Sequence, residues 1–260
     1  MFTPAYRGGS GPPLVLLHGF TDTWRTWELV LPTLERRFEV FAPALAGHAG
    51  GPVLNGSLSA ETLADGVEAA LDDAGIGLAR VAGNSLGGFV ALELAARGRA
   101  SSVVALAPAG GWDDGGRSLA ETLDFFETMQ RLVENAAPHA ESIASTDSGR
   151  RRAMRYLTTR FDHLPADLVA HQIRGAAACD ALPLPELARR EGYELDAERI
   201  TCPVRIVWGT EDAILSWPAA AERYRREWLP HADWVVLDGV GHCPQLDAPL
   251  ETAQLIMGFP

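Results

Sequence analysis

The sequence predicts an α/β fold with a doubly wound, mostly parallel sheet and a helical lid insertion. Short continuous apolar runs of strand length alternate with segments of helical periodicity over residues 14–106, and the alternation resumes at residue 204. Between these parts, amphipathic helical patterns follow one another without a clear buried strand. We therefore expect a core sheet domain in two parts, residues 1–111 and 199–260, with a lid at residues 112–198.

The predicted strands are short apolar runs. Residues 14–17 form such a run, closed by His18-Gly19. The other predicted strands are residues 39–42, 78–82, 102–106, 204–208 and 234–237, with residues 2–7 as the remaining candidate for an N-terminal edge strand. In a doubly wound sheet the loops after residues 17, 82, 106 and 208 leave from one edge, and ligands bind beyond that edge.

The predicted helices carry apolar residues three or four positions apart. In the core they are residues 24–36, a helix capped by Ser59 and ended by Gly75, residues 89–97, and a helix near residues 218–227. In the lid they are a helix through Phe126 and Met129, residues 151–159, and residues 168–179, after a glycine-rich hinge at residues 110–116. Pro183 and Pro185 are expected near the end of the lid.

Composition is that of an ordinary globular domain. The chain of 260 residues is 47% hydrophobic and 22% charged, enough to bury a full core. Its net charge of −12 disfavours nucleic acid or an anionic membrane surface as a partner. We expect a small-molecule partner instead, and no pattern predicts a particular oligomeric state.

Cysteine usage and the N-terminal segment predict a cytoplasmic protein. Cys179, Cys202 and Cys243 are too few and too scattered for a disulfide framework or a cysteine-based zinc site. Residues 1–13 lack a basic start followed by an apolar stretch, and no apolar run is long enough to cross a bilayer. The histidines outside the motifs described below show no metal-ligand spacing, so we predict neither a metal nor a cofactor.

A serine motif lies between the third predicted strand and the helix that follows it. Gly83-Asn84-Ser85-Leu86-Gly87 matches the pattern Gly-x-Ser-x-Gly. In that setting the pattern indicates a nucleophile elbow, a tight turn that holds a serine hydroxyl above the end of a sheet. Side chains at positions 83 and 87 would collide with the neighbouring strand and helix. The alternative is a glycine-rich turn without a catalytic role, since the chain holds 26 glycines.

An acid and a histidine follow two later strands. Asp212 comes after residues 204–208 and His242 after residues 234–237, so the chain order is serine, acid, histidine. Serine is a poor nucleophile unless a histidine takes its proton, and a carboxylate holds the histidine ring in the useful tautomer. We predict a catalytic triad of Ser85, Asp212 and His242. The acids that rival Asp212 are Asp113, Asp114 and Asp238.

Together these motifs resemble the alpha/beta-hydrolase superfamily, in its serine-nucleophile esterase and carbon–carbon hydrolase-like branch. The resemblance covers nearly the whole chain, through His18-Gly19-Phe20, residues 43–48, the elbow, residues 209–212, and Gly241-His242 with Pro244. It implies an oxyanion hole made by the backbone N–H groups of Phe20 and Leu86. The chain departs from the family at Ala44, where an aspartate is common, and at Ala49-Gly50-Gly51, where a small glycine turn is common.

We expect three other polar residues near these motifs to have structural rather than catalytic roles. His18 is expected to support the oxyanion loop through hydrogen bonds, and His48 is expected to brace a turn. Asp247 is expected to hold a loop or to cap the final helix.

The predicted lid supplies the candidates for substrate binding. Trp112, Phe125, Phe126, Met129 and Leu157 are the expected pocket residues, and the alternative is that they pack lid helices against each other. We expect the lid to select the substrate without contributing to the triad.

The leading functional hypothesis is a cofactor-free serine hydrolase that cleaves a small or medium ester or a related acyl compound. The second hypothesis is a carbon–carbon bond hydrolase of the meta-cleavage-product type, which the Asn84-Ser85 pair and Gly110-Gly111 resemble. The acidic chain and the lack of a clear arginine near the elbow argue against it. The third hypothesis is a non-catalytic ligand receptor on the same fold. A haloalkane dehalogenase is disfavoured because that class has an aspartate at the serine position.

Overall fold

A seven-stranded sheet forms the centre of the molecule, in the order β1-β3-β2-β4-β5-β6-β7. The computed structural model describes residues 1–53, 59–112, 117–181 and 193–260. The strands are β1 Ala5–Gly9, β2 Pro13–Leu17, β3 Glu39–Pro43, β4 Ala79–Asn84, β5 Ala100–Leu106, β6 Val204–Gly209 and β7 Asp233–Leu237. Strand β1 is antiparallel to β3, and all other neighbouring strands are parallel. The predicted fold class is confirmed, and β1 takes the edge position expected of the N-terminal segment.

Helices cover both faces of this sheet. The α-helices of the core are α1 Leu31–Leu34, α2 Ala60–Asp73 and α3 Leu86–Ala96 before the insertion, and two after it, Pro244–Asp247 and Pro249–Met257. Along β2, Val15 and Leu17 belong to one buried cluster, and Leu14 and Leu16 belong to a second cluster on the opposite face. This alternation is what a strand covered on both faces requires.

Two predicted helices of the core have a different form in the structure, and the lid helix predicted at residues 151–159 is instead Asp147–Met154. Residues 24–36 do not form one helix, because Trp24–Trp27 is a 3₁₀ turn and α1 begins only at Leu31. Pro32 explains the break, since it has no N–H to continue a preceding helix but fits the first turn of a new one. The segment near residues 218–227 is a 3₁₀ turn, Ala219–Ala221, and a π-helical turn, Tyr224–Trp228.

The N-terminus of α2 has the cap that the sequence predicts. The Ser59 hydroxyl accepts a hydrogen bond from the backbone N–H of Thr62, and the Thr62 hydroxyl accepts one from the backbone N–H of Ser59. These bonds satisfy two donors that a helix start otherwise leaves unpaired. At the other end Gly75 has a φ of 73°, a conformation that favours glycine.

The segment between β5 and β6 is helical where the structure describes it, apart from its turns. Its α-helices are α4 Arg117–Ala136, α5 Ala140–Ala144, α6 Asp147–Met154 and α7 Ala166–Ala177. Their buried side chains, Met154, Leu168 and Val169 among them, form a cluster with Cys243 and Leu246 of the core. Of the predicted hinge, residues 113–116 lie outside the described residues, as do Pro183 and Pro185. The domain limits therefore stay predictions. Within the described parts of the chain, no helix is both long and apolar enough to cross a membrane.

Candidate active site

Ser85 lies in the tight turn between β4 and α3. Its backbone φ of 55° is a positive value that residues other than glycine rarely adopt. The turn is held by hydrogen bonds from Ser85 N–H to the Leu106 carbonyl (2.8 Å) and from the N–H groups of Phe89 and Ala109 to the Ser85 carbonyl (3.1 Å each). Strain at a single residue persists only where surrounding bonds enforce it, and such strain concentrates at functional sites.

The two glycines of the elbow are required by close backbone contacts. A Cβ atom at Gly83 would lie 2.1 Å from the carbonyl oxygen of Gly87, at the start of α3. A Cβ atom at Gly87 would lie 2.3 Å from the carbonyl oxygen of Leu17, at the end of β2. Any side chain at position 83 or 87 would therefore collide with neighbouring backbone, as the sequence predicts.

Asp212 and His242 form a buried pair beside this turn. Asp212 Oδ2 lies 2.8 Å from His242 Nδ1, and the two side chains are 0% and 4% exposed. The other oxygen, Oδ1, accepts hydrogen bonds from the backbone N–H groups of Ile214 (2.9 Å) and Leu215 (2.8 Å). A carboxylate fixed in this way holds the proton on Nδ1 and leaves Nε2 free to accept one. Ser85 and His242 line the same pocket.

The rival acid Asp238 does not share this setting. Asp238 is exposed, and its Oδ1 atom lies 3.4 Å from the Thr210 hydroxyl. Asp113 and Asp114 lie outside the described residues.

The loop after β2 passes beside Ser85. A Cβ atom at Gly19 would lie 3.3 Å from Ser85 Cβ, and Phe20 lines the pocket. Leu86 is the first residue of α3, where backbone N–H groups have no partner within the helix. Phe20 and Leu86 therefore lie on the two segments that flank Ser85, as an oxyanion hole requires.

His18 supports this loop from within the core. Its Nδ1 atom lies 2.8 Å from the Gly19 carbonyl, and its Nε2 atom accepts a hydrogen bond from the N–H of Leu45 (3.0 Å). Burial, together with the neighbouring His48, lowers the pKa of His18 to about 3. Burial also lowers the pKa of His48 to about 4, and His48 Nδ1 lies 3.1 Å from the Ala46 carbonyl. Both rings are neutral at pH 7 and form hydrogen bonds with the backbone, which fits the structural roles expected of them.

Apolar side chains of the helical segment wall the pocket. The lining includes four of the five predicted substrate-binding residues, Phe125, Phe126, Met129 and Leu157, together with Val133, Met154 and Ile173. The fifth, Trp112, is not among the residues that line this pocket. It is 9% exposed and packs in the core, with its ring 5.7 Å from that of Tyr193.

One acid of the pocket was missed by the sequence analysis. Asp22 lines the pocket, is 8% exposed, and accepts a hydrogen bond from the N–H of Thr23 (2.6 Å). Burial raises the pKa of Asp22 to about 6, although this bond and the nearby His242 favour the charged form. The amide of Gln172 approaches Asp22 closely enough to favour its charge, but Gln172 Nε2 reaches no partner in hydrogen-bonding geometry. The available sequence signal was an acid two positions after Phe20.

Asn84 joins the elbow to the segment that carries His242. Its Nδ2 atom donates to the carbonyls of Leu106 (3.1 Å) and His242 (3.0 Å). Its Oδ1 atom accepts from Gln245 Nε2 (3.1 Å) and from the Cys243 thiol (3.3 Å). Because both ends of the amide are engaged within the protein, Asn84 has a structural reason to stand beside the serine.

No metal site is apparent in the described parts of the chain. They contain no group of three or more histidine, cysteine, aspartate or glutamate side chains that could hold a metal ion.

Comparisons with known proteins show the family to which the chain is similar. A family model described as the Alpha/beta hydrolase family matches residues 14–255. The epoxide hydrolase EphH of Mycobacterium tuberculosis is 32% identical over 211 residues, which cover 78% of this chain and 95% of EphH. The pimeloyl-[acyl-carrier protein] methyl ester esterase of Aromatoleum aromaticum is 30% identical over 275 residues, which cover 94% of this chain and 96% of the esterase.

Solved structures show the same fold. The crystal structure of a membrane phospholipase A, described as a bacterial virulence factor, superimposes with a TM-score of 0.76 at 25% identity and covers 98% of this chain and 81% of the phospholipase. With the match to the family model and two relatives at 30% identity or more, the chain belongs to the alpha/beta hydrolase family.

Proposed function

We propose that the protein is a cofactor-free serine hydrolase that cleaves a small or medium ester, or a related acyl compound, through an acyl-enzyme. Ser85 attacks the acyl carbon, His242 takes its proton, and Asp212 orients the histidine. The backbone N–H groups of Phe20 and Leu86 stabilise the oxyanion. Family membership and the named hydrolases among the relatives support the general assignment of the protein as a hydrolase.

One observation carries the proposal. The His242–Asp212 hydrogen bond of 2.8 Å is buried, and His242 lines the same pocket as a serine held in a positive-φ turn. A glycine-rich turn without a catalytic role would need neither the buried acid–histidine pair nor the pocket beside it.

The serine also favours an acyl substrate over an epoxide, although an epoxide hydrolase is among the relatives. Attack by Ser85 on an epoxide carbon would leave an alkyl ether on the enzyme. An ether has no carbonyl to which an activated water could add, so this triad would not release it. Attack on an ester leaves an acyl-enzyme, which water can hydrolyse with the same histidine as base.

Structural engagement of Asn84 weakens the case for carbon–carbon bond cleavage. The Asn84-Ser85 pair suggested that reaction, but the amide makes four hydrogen bonds within the protein.

The apolar lining by Phe125, Met129 and Leu157 suits an apolar acyl or alkyl group of moderate length.

The test is covalent labelling together with turnover. The wild-type protein should hydrolyse p-nitrophenyl acetate or butyrate and should add one fluorophosphonate label, on Ser85. Ser85→Ala should abolish labelling and lower kcat by several orders of magnitude, because the nucleophile is lost. Ser101→Ala, at an exposed serine of β5, is the matched control and should behave as wild type. An alanine variant that keeps most of its turnover would exclude this mechanism, and a wild-type protein that binds esters without turnover would favour a receptor.

A further inference from the structure

Asp247 is a buried carboxylate that the proposed mechanism does not use. It is 2% exposed and ends the short helix Pro244–Asp247, just after His242. Its Oδ2 atom accepts hydrogen bonds from the N–H groups of Gly241 (2.6 Å) and Thr159 (3.0 Å), and its Oδ1 atom accepts one from the N–H of Arg160 (2.8 Å). Asp247 thus joins the loop of the proposed catalytic histidine to a turn of the helical segment 88 residues away.

Other hydrogen bonds join the same two segments. The N–H of Cys243 donates to the Leu157 carbonyl (2.8 Å), and the Thr159 hydroxyl donates to the Gly239 carbonyl (2.8 Å). Gly241 and Cys243 flank His242, so the backbone on each side of the histidine is tied to residues 157–160. From the core, Asn84 Nδ2 donates to the His242 carbonyl.

We propose that Asp247 is a positioning residue that fastens residues 157–160 of the helical segment to the His242 loop, so that this segment holds the histidine as well as walling the pocket. The catalytic part of this proposal rests on the proposed function. It revises the expectation that the lid acts only on substrate selection. A buried carboxylate that accepts three backbone N–H bonds is a strong restraint, because charge-assisted hydrogen bonds are shorter and stronger than neutral ones.

Positioning and simple stabilisation have different kinetic consequences. If Asp247 only stabilised the fold, the folded fraction of a variant would turn over normally. If it positions His242, the proton transfer itself slows, so kcat should fall by the same factor for every ester while KM stays nearly unchanged.

Asp247→Asn is the discriminating variant, since it keeps the size of the side chain but puts an N–H donor where an oxygen accepted hydrogen bonds. We expect kcat and the rate of fluorophosphonate labelling to fall together by roughly tenfold to a hundredfold, because misplacing a reacting group by about 1 Å can cost about a hundredfold in rate. KM for short and long p-nitrophenyl esters should change by less than about twofold if substrate contacts are intact. Asp238→Asn, at an exposed acid near the same loop, is the control and should leave all three values unchanged.

Hydrogen exchange tests the physical link without relying on activity. In wild-type protein the amides of Thr159, Arg160, Gly241 and Cys243 should exchange through one shared opening, with the same dependence on denaturant. In Asp247→Asn, exchange should accelerate in residues 157–160 and 239–243 together.

Three outcomes overturn the proposal. They are independent opening of the two segments in the wild-type protein, faster exchange in only one of them in Asp247→Asn, and normal kcat and labelling in folded Asp247→Asn. The wild-type exchange measurement decides the link even if the variant does not fold. A wild-type protein without esterase turnover or Ser85 labelling would refute the proposed function, and the exchange result would still decide whether Asp247 joins the segments.

Discussion

At the scale of single residues, three buried carboxyl groups at the pocket and the His242 loop lie in different settings. Asp212 faces His242 and two backbone N–H groups, and Asp247 accepts three backbone N–H groups. Asp22 is buried, no cationic side chain of the described residues bonds to it, and burial raises its pKa to about 6. By their hydrogen bonds, Asp212 suits the orientation of His242 and Asp247 suits the positioning of its loop. Burial makes Asp22 the pocket acid whose charge changes near neutral pH.

The charge of Asp22 should make the stability of the protein depend on pH. Its pKa is about 6 in the folded state and 3.8 as the ordinary value. Between these values the folded state binds more protons than the unfolded state, so stability falls as pH rises through this window. Asp22→Asn cannot ionise and should avoid a cost of up to about 3 kcal/mol at pH 8.

Thermal unfolding at pH 8 and at pH 4.5 checks this prediction. The Tm of Asp22→Asn relative to wild type should be higher at pH 8 than at pH 4.5. Asp238→Asn, at an exposed acid, should show no such trend. The same difference in Tm between Asp22→Asn and wild type at both pH values would contradict a raised pKa of Asp22 in the folded state.

At the scale of elements, helix α4 connects the pocket wall to the predicted oxyanion loop. Phe126 of α4 packs edge-to-face on Phe20, with ring centroids 5.0 Å apart. Phe125 packs in the same manner on Phe126 (5.4 Å) and on Tyr156 (4.9 Å). Met129, one turn further along α4, lines the pocket and has no ring to take part in this aromatic packing. It is therefore the better position for changing pocket size without disturbing the oxyanion loop.

Met129→Ala should shift the preference between acyl chains. The space freed by the shorter side chain should raise kcat/KM for octanoate relative to acetate p-nitrophenyl esters by roughly tenfold, since each methylene that a pocket accommodates is worth about 1 to 3 kcal/mol. Labelling of Ser85 should stay within about threefold of wild type if the triad is intact.

Leu132→Ala is the matched control, because Leu132 lies on the same helix but is 51% exposed and does not line this pocket. Equal losses on both esters, together with a loss of labelling, would show that Met129 supports the catalytic core and does not select the acyl chain.

At the scale of the whole molecule, buried neutral histidines link the stability of the fold to acid. His18 and His48 lie at the edge of the sheet where the loops meet, and their rings are 5.1 Å apart. Protonating either ring would place a charge in the core and, for His18, would also remove the acceptor of the Leu45 N–H. The fold is therefore expected to resist acid less well than its surface charge alone would suggest.

Stability should fall steeply as pH drops below 6.5. The unfolded chain binds a proton at His18 near pH 6.5, whereas the folded state binds one only near pH 3. Acid therefore stabilises the unfolded state relative to the folded state. His18 alone should account for about 2 to 3 kcal/mol of loss between pH 7 and 4.5, and protonation of Asp22 offsets part of the total.

Urea unfolding of His18→Gln between pH 7 and 4.5 isolates this contribution. The variant should be less stable than wild type at pH 7, because the buried ring is lost, but its stability should fall less over the same range of pH. His139→Gln, at an exposed histidine, is the control and should keep the wild-type slope. An unchanged slope in His18→Gln would show that His18 titrates as an ordinary exposed histidine.

The sequence by itself determined the features that depend on neighbours along the chain. Apolar runs predicted strands β2 to β7 to within about two residues, and Ser59 predicted the start of α2. The elbow was predictable because its requirement, glycine on both sides of Ser85, lies within five residues. The order of Ser85, Asp212 and His242 after their strands was sufficient to predict that they would meet at one sheet edge, because parallel strands end there together.

Only the tertiary structure decided which side chains meet across the fold. Trp112 packs in the core, Asp22 lies buried at the pocket, and Asp247 bonds to Thr159, which is 88 residues away. Asn84 bonds to Gln245 across 161 residues. Local patterns carry no record of such contacts, because the direction and burial of each side chain are set by packing between segments that are distant in sequence.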